Sequence, residues 1–119
     1  MLRMYYQSTQ AVIWVVDASD RARFEESRQA LVQALNEDEL AGVPLLVLAN
    51  KSDLPGAADA PEVASELDLT EDSALTLKRE WHVMPASACT GDGLEDALEW
   101  VAATLRAKTP RVGSFSLAW

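Results

Sequence analysis

Asn50-Lys51-Ser52-Asp53 is the run whose residue types and spacing point most directly to chemistry. A carboxylate at Asp53 can accept two hydrogen bonds at once from the ring N1–H and the 2-amino group of a guanine edge. Adenine, with an acceptor at N1 and no 2-amino group, cannot supply that pair. Charge-assisted bidentate contacts are the strong kind, about 1–3 kcal/mol each net of solvent. Lys51 can lay its methylene stem on a base while its ammonium stays in water, and the Asn50 amide can brace the neighbouring loop. The same four residue types are also ordinary in a solvated turn. Ser87-Ala88-Cys89 offers a complementary part, because a small residue lets the Ala88 backbone N–H approach guanine O6, where adenine carries a donor. Taken alone, that triplet reads more simply as a polar helix entry. Both motifs, in this order at successive strand ends, rarely arise by accident.

The elements that must position these loops are visible in the apolar pattern. Ala11–Val16 and Val43–Ala49 are apolar without alternation, as strands buried on both faces of a parallel sheet are. Each ends in a polar loop, residues 17–20 and 50–53, and leads into a helical pattern. After the first, Phe24, Leu31, Ala34 and Leu35 share one helical face, with Ser19 or Asp20 as the expected N-cap. After the second, Asp59 caps a short helix with Pro61 in its first turn and Val63, Ala64 and Leu67 turned inward. Trp81-His82-Val83-Met84 predicts a third strand, and Pro85 places it at a sheet edge or ends it there. Residues 87–93 lead into a last helix with Leu94, Ala97, Leu98, Val101 and Leu105 as its buried stripe, and Asp92 with Glu95 resembles a capping box. Strand–helix three times over predicts right-handed crossovers and an α/β parallel sheet. Such sheets bind ligands at the carboxyl ends of their strands, where residues 17–20, 50–53 and 87–93 all fall. Residues 70–80 give no clean period and read as an irregular connection. The tail, residues 109–119, leaves helix composition at Pro110 and is expected to be mobile.

Composition narrows the rest. The chain has 119 residues, the length of one domain, and a net charge of −9, the wrong sign for gripping nucleic-acid phosphates. One cysteine excludes an internal disulfide, and one histidine excludes the common Cys/His zinc layouts. The apolar runs are far short of the roughly 20 residues of a membrane span, and residues 1–10 lack the apolar core of a signal peptide. Cys89 as a nucleophile has only His82 for a partner, so a packed or base-loop cysteine is the simpler reading. Asp17 at a strand end, with Lys51 nearby, suggests a phosphoacceptor only weakly, and helix entry suits it better. Trp14, Trp81 and Trp100 read as core or its margin, and the acidic stretch 59–72 as a solvated face.

Taken together, Tyr5–Asp17 with Asp20-Arg21, Asn36-Glu37-Asp38-Glu39-Leu40, Ala49–Pro55, Ser87–Leu94 and Glu99-Trp100 resemble the Arf and Arf-like small GTPases over residues 1–108. The resemblance implies a Ras-like P-loop NTPase G domain, here N-terminally truncated, with a parallel three-layer sheet and residues 1–10 ending a preceding helix. It implies GTP/GDP binding, with Asn50, Lys51, Ser52 and Asp53 in one guanine loop and Ser87, Ala88 and Cys89 in the second. It further implies a switch in vesicle traffic, cytoplasmic and peripheral to Golgi or other endomembranes. Effector proteins would meet a surface that includes Tyr5, and exchange and activating factors would act on the nucleotide state. The departures are as informative. Lys51, Lys78 and Lys108 are the only lysines and none follows a glycine, so no Gly-x-x-x-x-Gly-Lys-Ser/Thr phosphate loop is present. The switch threonine and glutamine have no counterpart, and Leu2 replaces the glycine that myristoylation requires, so membrane contact is expected only indirectly. Mg2+ is accordingly expected only with the missing N-terminal half, and no GTP hydrolysis is expected from this chain alone. The alternatives are a non-catalytic interaction module or a truncated gene product without independent nucleotide binding. With its neighbour absent, Ala11–Val16 is expected to leave an open apolar edge.

Overall fold

Continuous apolar runs become the inner strands of the sheet. The computed structural model describes residues 9–70, 73, 76, 79–87, 90–108 and 114–118. In it β1 (Thr9–Asp17) and β2 (Leu45–Asn50) pair in parallel, in register from Val12 with Leu45 to Asp17 with Asn50. β3 (Trp81–Pro85) pairs in parallel with the far side of β2, and Pro85 closes its register opposite Ala49. This is the edge position expected of a strand cut by proline.

Because side chains alternate across a strand, β1 and β2 present apolar residues to both faces, and each face is covered. Val12, Trp14, Val16, Leu45, Val47 and Ala49 pack against α1 (Phe24–Leu35) and α2 (Ala60–Glu66). Ala11, Ile13, Leu46 and Leu48 pack against α3 (Leu94–Lys108) on the other face. The result is an α/β three-layer arrangement. Phe24, Leu31, Ala34 and Leu35 are the buried side of α1, as their spacing predicts. The Asp59 carboxylate accepts from Glu62 N–H at 2.9 Å and caps α2, with Pro61 in its first turn. Residues 70, 73, 76, 79 and 80 adopt no helix or strand, although Ser73 and Thr76 are buried.

Several expectations are corrected. Thr9 and Gln10 belong to β1 and not to a preceding helix; residues 1–8, Tyr5 among them, lie outside the described residues. Ser19 and Asp20 make no side-chain cap; a short 3-10 turn, Arg21–Arg23, precedes α1 instead. Leu98 is 57% exposed, because the sheet covers the Ala97, Val101 and Leu105 line of α3, with Leu94 and Trp100 at its margin, and Leu98 sits about 100° further round. The tail expected to be mobile contains a fourth strand, β4 (Ser114–Ala118), which pairs in parallel with β1 and gives the order β3-β2-β1-β4. Its Ser-Phe-Ser-Leu alternation is the strand signal the tail does carry, and the unpaired edge of β1 is what recruits it, since buried backbone groups need partners. The edge expected to be open is therefore covered.

Candidate functional site

The parallel register brings the loop after β1 and the loop after β2 side by side, since Asp17 and Asn50 are paired residues at the ends of their strands. Ala18 N–H then donates to the Asn50 carbonyl at 2.9 Å. Directly after it, Lys51 takes a positive φ of 63°, uncommon for a side-chain-bearing residue, and the chain turns sharply off the strand. Its Nζ lies 3.0 Å from Asp17 Oδ2. Asp17 Oδ1 accepts from the Ser19 hydroxyl at 2.6 Å and the Ser19 N–H at 3.0 Å. The Ser19 hydroxyl, and then the Lys51 ammonium, hold the Asp17 carboxyl below its ordinary value, while Asp17 raises that of Lys51. Asp17 is thus neither a helix entry nor an isolated acid: it fixes the lysine of the candidate loop.

Ser52 joins this loop to the next one. Its N–H and its Oγ both donate to the Ala86 carbonyl, at 3.1 Å and 2.9 Å, while Ala86 N–H donates to the Ala49 carbonyl at 2.9 Å. Ala86 is buried and works wholly through its backbone. It was not singled out from the sequence; the signal available was a small residue between the strand-ending Pro85 and Ser87. Ser87 is buried, donates from its N–H to the Asp92 carbonyl at 2.9 Å, and its carbonyl accepts from Gly91 N–H at 2.7 Å. Those bonds close the second loop on itself. Gly93, with φ of +81°, lets the start of α3 approach β3, since a Cβ there would stand 2.3 Å from the Pro85 carbonyl oxygen.

The structure therefore brings Asn50, Lys51, Ser52, Asp53 and Ser87 to one end of the sheet. Ala88 and Cys89 lie outside the described residues. Asp53 is exposed and makes no hydrogen bond or ion pair with the described residues, so its carboxylate is available to a ligand. A second brace sits alongside: Ala58 N–H donates to the Ala18 carbonyl at 2.8 Å, and Arg21 reaches both Glu62 and the Gly56 carbonyl. Among the described residues no cluster of His, Cys, Asp and Glu is arranged to hold a metal. The arrangement suits a planar, hydrogen-bonding edge: an Asp53 carboxylate unpartnered among the described residues, a lysine held by Asp17, and two loops tied at one carbonyl.

The family model for the ADP-ribosylation factor family matches residues 1–105. Among solved structures, the Arl6 BBS3 small GTPase from Trypanosoma brucei, with bound nucleotide analogue GppNp, is similar with a TM-score of 0.80 and 30% sequence identity. The match covers 88% of this chain and 63% of that one, so this chain spans less than two thirds of the relative's length.

Proposed function

This chain belongs to the ADP-ribosylation factor family, with the Ras-like small-GTPase fold, and we propose that its β2 and β3 end loops are the guanine-reading part of a GTP/GDP site. The double donation of Ser52 to the Ala86 carbonyl carries this reading, because it locks the two loops into one rigid edge. In that edge Asp53 accepts from N1–H and the 2-amino group, and the Ala88 N–H donates to O6. Lys51, fixed by Asp17 at 3.0 Å, lays its stem along the base, and Asn50 and Cys89 complete the loops. Phosphate and Mg2+ belong to a segment outside residues 1–119, and turnover of GTP requires it. The family's role as a switch in membrane traffic, its peripheral place at endomembranes, and effector contact through the Tyr5 surface are part of the same proposal.

The test fuses residues 1–119 behind an Arf-like N-terminal segment that carries the phosphate loop and both switches. Guanine nucleotides should bind in preference to adenine nucleotides. Asp53→Asn turns one acceptor into an amino donor opposed to the 2-amino group, whereas xanthine presents an oxygen there. GDP affinity should fall by roughly 30- to 1,000-fold, and the preference should shift toward xanthosine diphosphate. Competition of both nucleotides against a fluorescent analogue measures it. A fusion that binds GDP with an unchanged guanine/xanthine ratio in Asp53→Asn makes Asp53 only a loop residue.

A further inference from the structure

We infer that β4 is a removable strap: it closes the free edge of β1 in the place where a strand carrying a phosphate loop must pair, so the two exclude each other. β1, β2 and β3 march across the sheet in one direction. In a doubly wound sheet the binding crevice lies where the strand order reverses, which here is the other edge of β1. β4 occupies that edge. The inference rests on the guanine-site reading above for the identity of the competing strand.

Backbone geometry separates the two edges of β1 residue by residue. Val12 N–H donates to the Pro44 carbonyl and Ala18 N–H to the Asn50 carbonyl, so even-numbered amides face β2. Successive amides of a strand face opposite edges, so the Ile13 N–H faces β4, where Ile13 is in register with Leu117. A strand with apolar residues on both faces cannot leave that edge open without inviting association, which explains why a strap is present.

The strap is poorly made for permanence. It is five residues long, and two are serine and one alanine. Its register with β1 shifts between Thr9 and Val12. Within that shift the Gln10 Oε1 is buried with no hydrogen-bond partner among the described residues. By contrast, the β1–β2 register runs without interruption over six pairs. A competing parallel strand displaces the weaker of the two neighbours, and an edge accepts one strand only.

Amide hydrogen exchange on the full chain tests the strap. Ser116→Pro removes a ladder donor from the middle of β4. Exchange at Ile13 should then speed up by roughly tenfold or more, while Val12, Trp14 and Val16 keep their protection. Unchanged exchange at Ile13 overturns the strap, and so does joint loss at all four amides, which would make β4 integral to the fold. In the fusion described above, the Ser116 and Ala118 amides should exchange as unstructured chain does; their continued protection overturns mutual exclusion, whatever nucleotide binds. The preference for GDP over ADP reports separately on the base-reading loops. A released strap with no such preference overturns the guanine site and leaves the strap standing.

Discussion

β1 has two parallel neighbours that differ in composition and in the regularity of their register. β2 contributes Leu45, Leu46, Val47, Leu48 and Ala49, all buried between helices on both faces, and its carboxyl end carries the candidate loop. β4 contributes a short, serine-containing ladder with an irregular register. Backbone hydrogen bonds exchange with water on folding and net only about 0.5–1.5 kcal/mol each, whereas a buried leucine side chain contributes roughly 1.5–3 kcal/mol. Pairing makes each of them a neighbour; β2 adds to it burial on both faces and an uninterrupted register. The site is built on β2.

The largest effect should come from the β2 side. Leu46 is fully buried against the α3 face, and Leu46→Ala should cost about 2–5 kcal/mol of unfolding free energy in a denaturant melt. Ser116→Pro should cost clearly less in the same melt. The contrast between the neighbours breaks if the proline variant is as destabilised as the leucine variant.

Gly93→Ala sharpens the comparison at the far end of the sheet. It places a Cβ against the Pro85 carbonyl oxygen at a positive φ, with backbone on both sides of the clash. A loss of roughly 1–3 kcal/mol is expected. The perturbation should appear in amide chemical shifts at Ala86 and Ser52 while leaving Ser114–Ala118 unmoved. Shifts at β4 instead would mean that the second loop and the strap are coupled.

The smallest effect concerns the ion pair that links the ends of β1 and β2. Asp17 and Lys51 are both more than a third exposed, so solvent screens most of their attraction. The Asp17 carboxyl titrates below its ordinary 3.8, so its contribution is full above that value and lost as the pH falls through the lowered one. Lys51 titrates above 10.5, so its contribution is full below that value and lost as the pH rises through the raised one. The Tm of Asp17→Asn should therefore lie slightly below that of the unaltered chain between about pH 5 and 9. The two should converge in acid below 3.8. A gap that persists there assigns the effect of Asp17 to packing and not to charge.

Features that depend on near neighbours in the chain are legible before any fold is known. The apolar runs of β1 and β2, the Phe24–Leu31–Ala34–Leu35 face of α1 and the Asp59 cap of α2 each follow from a period or a side chain a few residues from its target. The Asn50–Asp53 loop was visible for the same reason: its residue types and its place after a buried strand are local facts. The sequence places Lys51 near Asp17, but only the tertiary structure makes of them an ion pair across 34 positions and brings Ser52 to Ala86 across another 34. Tertiary structure also decided that Leu98 faces solvent although it stands beside the buried line of α3. Above all it decided β4: the Ser-Phe-Ser-Leu alternation suits a strand but names no partner for it. A strand forms there because the edge of β1 lacks a partner, and an unpaired edge is a property of the assembled sheet that no local stretch of sequence contains.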